Sequence, residues 1–238
     1  MRFWSRARWF FAVQSTVVPS IFEPTLLLSG ATLAAASAAA TIVSQIVNEF
    51  VLGSGQPQLD VDREWNIWAW VGSASILAAA SVAFLSAVAI RAWAVRLGML
   101  AAWFAFLSLD DIVEVHERIG IRLGTATGLI EGDESARLWV VVYLPAMAVS
   151  LVVLLKIRRE LCSAPAQRVM HWGLLLIGLA VAAEVLGSVT RRIGGSGAWP
   201  YDLTVAVEEA AETAGWILLA TGVAAVLFAA VAAAEERP

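Results

Sequence analysis

Ten ionisable side chains fall inside or at the edge of the apolar runs of this chain, and their types and spacing suit cation or proton chemistry. Asp110, Glu114 and Glu117 stand at i, i+4 and i+7, which is one face of a helix. Asp111 flanks that face, and His116 lies roughly 120° from it on the other side. Glu184 is alone in Val181-Ala-Ala-Glu-Val-Leu-Gly187, Glu208, Glu209 and Glu212 share another run, and Glu49 closes a fourth. A carboxylate at the centre of a membrane-spanning helix costs about 2.5–3.5 kcal/mol, and less near its ends. Such groups mark a candidate site. Like charges and low dielectric both disfavour the ionised state, so the group as a whole cannot stay charged unaided. Bound protons, a bound cation or arginine partners would each relieve it. Carboxylates with one histidine favour hard divalent ions such as Mg²⁺, Mn²⁺ or Ca²⁺, with Zn²⁺ or Fe²⁺ reachable through His116.

The elements that must position these residues follow from composition. The chain has 238 residues, 60% hydrophobic and 15% charged, with mean hydropathy +0.76. An ordinary soluble domain carries about 25% charged residues. Several runs reach the ~20 residues needed to cross a ~30 Å hydrocarbon core. We expect an all-α integral membrane fold, a six-transmembrane-helix bundle with spans at about 25–48, 65–90, 95–117, 138–157, 170–190 and 204–232. Residues 1–24 read as an N-terminal interfacial amphipathic segment, a re-entrant segment being the alternative, and 25–238 as the transmembrane domain. Spans 1 and 2 are rich in small residues, from Gly30 to Thr41 and from Gly72 to Ser81, which predicts close helix packing. The single Cys162 excludes an intramolecular disulfide and a cysteine-based metal site.

Basic residues set the expected orientation. With the N-terminus inside, ten arginines and lysines fall on inner segments and six on outer ones, four of the ten in the 156–168 loop. The expected location is the cell membrane, with both termini cytoplasmic and the lipid bilayer as the main partner. Homo-oligomerisation is left open. No basic tail suggests nucleic acid. In this orientation spans 3 and 5 run outward and span 6 runs inward, so all ten ionisable groups reach the outer side. An acidic pocket between spans 3, 5 and 6 is therefore expected. The competing structural account is ion pairing with Arg118, Arg122, Arg191 and Arg192, with Glu49 and Glu117 as rim residues.

No Gly-x-Ser-x-Gly, His-Glu-x-x-His or phosphate loop is present. Ser108 is the one candidate nucleophile beside the acids, although a mid-helix serine usually bonds backbone. Glu114-Val-His116 has the wrong spacing for a standard di-iron site, which needs Glu-x-x-His twice. Leu109-Asp-Asp-Ile-Val-Glu-Val-His-Glu117 resembles a Leu-Asp-Asp-x4-His-Glu stretch of uncharacterised bacterial multi-pass membrane proteins. The match covers one helix of six. It implies a shared site at Asp110, Asp111, His116 and Glu117, and no particular reaction.

The expectation is an outward-facing intramembrane carboxylate/His cluster that binds a divalent metal ion. Its ligands would come from Asp110, Asp111, Glu114, His116, Glu117, Glu184, Glu208, Glu209 and Glu212. Such a site would serve a metal-dependent membrane enzyme acting on a lipid-like substrate. The alternatives are a proton- or cation-coupled transporter or channel, and a structural or partner-binding membrane subunit whose basic 156–168 loop docks a partner or anionic lipid.

Overall fold

A computed structural model describes residues 22–53, 55–63, 66–128, 138–195 and 199–235. The expected interfacial segment, apart from its last residues, lies outside these. The described residues form seven α-helices and no strand. Helix α1 is Phe22–Ile46 and runs on as a π-helical turn, Val47–Val51. Helix α2 is Ile67–Ala89. A 3-10 turn at Arg91–Trp93 leads into α3, Ala94–Val113, which is followed by α4, Val115–Thr127. Helices α5, Trp139–Leu161, α6, Ala164–Gly194, and α7, Trp199–Glu235, complete the chain. Among the described residues, six stretches are long and apolar enough to cross a membrane: α1 with its π turn, α2, α3 with its 3-10 turn, α5, α6 and α7.

Capping explains several boundaries. Asn66 caps α2, its side-chain oxygen accepting from the Trp68 and Ala69 amides. The Ser163 hydroxyl accepts from the Ala166 amide at 3.2 Å, and Pro165 occupies the first turn. This start places α6 six residues before the sequence expectation. Span 3 differs more. It ends at Val113, and the residues after it form a separate helix that apolar patterning did not anticipate.

Helix α7 is the centre of the bundle, packed on α6, α2 and α1. The small residues of α1 accept α7. A Cβ on Gly30 would collide with the Thr221 side chain at 2.1 Å, and Ala34 and Ala38 pack against Ala214 and Leu218. On the other side of α7, Gly173 and Gly215 let two backbones meet, since a Cβ on Gly173 would stand 3.0 Å from the Gly215 carbonyl oxygen. The small-residue stretch of α2 likewise serves α7 and α3, with Gly72 beside Thr213 and Asp111. Away from the acids, Leu97, Leu100, Phe104, Ile157, Met170, Leu219 and Val223 fill the bundle as one apolar cluster. Outward faces carry exposed Leu28, Phe84, Val88 and Leu144, apolar surface compatible with contact to hydrocarbon.

The α1–α2 connection is folded rather than slack. Gln45 Oε1 accepts from the Val61 amide at 3.0 Å, Asn48 Oδ1 from Gln56 at 3.1 Å, and the Trp68 indole donates to Ser44 Oγ at 2.8 Å. The Tyr201 hydroxyl donates to Asp62 Oδ1 at 2.6 Å, tying this loop to the start of α7. At the opposite end the Ser163 hydroxyl donates to Glu23. The C-terminal ends of α1, α3 and α6 and the N-terminal end of α7 therefore share one end of the bundle.

Candidate functional site at the α3–α4 break

The site is organised by Glu114. It lies between α3 and α4 with φ 55° and ψ 37°, the one described non-glycine residue at positive φ. A side chain in this left-handed region costs about 1–2 kcal/mol. The break leaves the first amides of α4 without partners inside the helix. Asp110, in the last turn of α3, supplies one. Its Oδ1 accepts from the His116 amide at 2.9 Å, while Oδ2 meets His116 Nδ1 at 3.1 Å. One carboxylate thus caps a helix and orients an imidazole. Its negative charge suits the positive end of the α4 dipole. The Asp110 side chain is 4% exposed and that of His116 25%.

Two sequence expectations are corrected here. Glu114 does not share a face with Asp110 and Glu117, because the helix breaks at Glu114 itself, and it does not line the cavity described next. His116 is not turned away from Asp110, because the same break swings it back onto that carboxylate.

A cavity of about 560 Å³ opens at this end of the bundle. Asp110 and Asp111 from α3, His116 and Glu117 from α4, Glu184 from α6, and Glu208, Glu209 and Glu212 from α7 all line it. Eight of the nine residues expected as ligands line this one cavity. Glu49 is placed elsewhere, in electrostatic contact with Asp202, which also senses Asp60 and Asp62. The Trp216 indole donates to Glu212 Oε1 at 3.1 Å. Glu212 is also within electrostatic reach of His116. Arg191 lines the cavity, its guanidinium 5.8 Å from the Tyr201 ring. Among the described residues, no three His, Cys, Asp or Glu side chains gather closely enough to hold one metal ion.

The cavity has residues that the charge pattern did not reveal. Trp139 meets His116 edge-on at 5.2 Å and Tyr143 at 5.4 Å. Tyr143 also packs on Trp103 and Phe106 of α3. Its buried hydroxyl faces the Asp110 carboxylate. The chain has two tyrosines, and both line this cavity. An isolated tyrosine within an apolar span was the available signal. Ser108 is not presented to the site as a nucleophile. It forms a reciprocal clamp with α2: Ser108 Oγ donates to the Ser73 carbonyl at 2.9 Å, and Ser73 Oγ to the Ser108 carbonyl at 2.7 Å. The clamp fixes the register of α3 half a turn before Asp110.

Chemically, Asp110 holds the proton of neutral His116 on Nδ1, which leaves Nε2 as the basic or ligating nitrogen. This pairing suits either proton transfer or the support of a cation. A family model described as Domain of unknown function (DUF8692) matches residues 25–227. No curated protein and no solved structure matches the chain.

Proposed function

The chain belongs to that family, and from the site itself we propose a multi-pass membrane protein that binds a cation in an outward-facing acidic cavity. The observation that carries this reading is the gathering of seven carboxylates and His116 from four helices around one cavity, with Asp62 of the α1–α2 loop and Arg191 in the same lining. Carboxylates drawn together in a low-dielectric surrounding repel one another; Arg191 offsets one charge, and a bound cation would relieve the excess. The proposed orientation, with both termini cytoplasmic, rests on the basic inner segments.

A divalent metal ion is one occupant of suitable charge. With no three ligands already gathered, such an ion would be held partly through water, as Mg²⁺ commonly is. His116, oriented by Asp110, would then act as ligand or general base toward a bound substrate. A transport path is less well supported. Ile76 and Trp216 of the cavity wall belong to the packed apolar cluster, and Ile177 packs against it.

The test is thermal unfolding of the purified protein with chelator, then with Mg²⁺, Mn²⁺, Ca²⁺ or Zn²⁺ restored, at pH 7.5 and pH 5. A cation bound only by the folded state raises the midpoint with the logarithm of its concentration. Protons compete for the same oxygens, so the rise shrinks at pH 5. The rise should be lost in Asp110→Asn/Glu212→Gln. A rise that persists in this variant moves the cation elsewhere, and elemental analysis of both proteins separates the cases.

A further inference from the structure

We infer that the ligand of this cavity is an amphiphile whose head carries an amine or quaternary ammonium and whose tail is hydrocarbon. The inference rests on the cation reading above and names the class of cation. Three observations lead to it. First, the cavity is far larger than a hydrated ion requires, since about 560 Å³ compares with roughly 30 Å³ per water molecule. Small-molecule sites span about 300–1,000 Å³.

Second, the lining is mixed. Beside the acids and His116, the side chains of Ile76, Leu107, Met147 and Ile177 give the cavity an apolar half. A bare ion gains nothing from this apolar half, whereas a hydrocarbon tail fills it.

Third, the wall beside the acids is aromatic. Trp139, Tyr143 and Tyr201 face the same space as Asp110, Glu208 and Glu209. Aromatic faces attract organic cations, and carboxylates supply the opposite charge. Tyr143 is 5% exposed, and its hydroxyl faces Asp110 where both line the cavity. Carboxylates that do not gather into a compact metal-ligand set suit a diffuse cation better than a small one.

The experiment is photolabelling of the protein in lipid nanodiscs with a long-chain alkylamine bearing a diazirine near its tail end, at pH 7.5. The labelled peptides are then mapped. The expected result is label at Leu107, Met147 or Ile177, reduced more than tenfold by excess unlabelled alkylamine and untouched by the alcohol of equal chain length. Glu208→Gln/Glu212→Gln should lower the specific label at least tenfold. Tyr143→Phe, which removes only a hydroxyl, should lower it severalfold with the thermal midpoint retained. If the double variant does not fold, Tyr143→Phe and the competition series decide the matter. Label confined to outward positions such as Phe84 or Leu144, or competed equally by the alcohol, overturns the proposal. If Mg²⁺ or Mn²⁺ still raises the midpoint in that event, the cation site stands and only the amphiphile is lost. If neither amine nor metal registers, both readings fall.

Discussion

Replacing Glu114 with glycine tests the geometry on which the site depends, because its sign differs between two structures of the same sequence. In the structure Glu114 has φ 55°, where an L-residue bears about 1–2 kcal/mol of strain that glycine avoids. Glycine also loses more backbone freedom on folding, which costs roughly 0.5–1 kcal/mol. The difference favours Glu114→Gly by about 0–1.5 kcal/mol. If α3 instead ran straight through to residue 117, glycine would sit in a helix interior and destabilise by up to about 1 kcal/mol. For a chain of this size each kcal/mol moves the midpoint by roughly 2–4 °C, so the expected change is a rise centred near +2 °C and no larger than about +6 °C. Glu114→Ala should leave the midpoint near wild type, since alanine keeps the same strain, and Glu114→Val should lower it, because β-branched residues tolerate the left-handed region worst. The assay is thermal unfolding in one detergent, followed by tryptophan fluorescence. A midpoint lowered by glycine and raised by alanine would refute the break and the His116 placement derived from it. Glu114 does not line the cavity, so Glu114→Gly should also keep any cation-induced shift.

Two further outcomes follow from packing and burial. Gly173→Ala sets a methyl 3.0 Å from the Gly215 carbonyl oxygen and 3.1 Å from the Leu219 amide nitrogen; backbone must move, and about 1–3 kcal/mol of stability is lost. Gly222→Ala meets Met170 Cγ at 2.1 Å, and Met170 is fully buried in the packed core, so its loss in the same thermal assay should be at least as large. Burial pushes the Cys162 thiol up to about 12, with Glu23 adding to the shift and Arg158 opposing it. The thiol is the uncharged form below its pKa, so reaction with maleimide at pH 7.5 should be slower than for an exposed cysteine and should accelerate as pH rises. Orientation is better read from Gln58→Cys in a Cys162→Ser background, where Gln58 is exposed on the α1–α2 loop. Labelling of intact cells supports an outward cavity, and labelling only after permeabilisation reverses it.

The sequence by itself determined the helical class, the six long apolar helices and the common end to which the acids are delivered. These depend on properties that add along the chain: hydropathy over about 20 residues, and the alternation of direction that successive antiparallel helices impose. Glu184, the least partnered acid in its local sequence, reached the cavity for that reason. The tertiary structure decided which acids share a face and what His116 does. Nothing local marks a break at Glu114. Ile112, Val113 and Val115 around it read as uninterrupted helix, and neither glycine nor proline stands there. The break persists because distant groups support it. Asp110 caps the new helix, the Ser73–Ser108 clamp holds α3 in register, and Trp139 and Tyr143 pack against His116 and α3. Helical periodicity holds only while the helix is continuous. A single residue in the left-handed region resets the rotation of everything after it, and the energy that permits this reset comes from contacts between helices that no local pattern encodes.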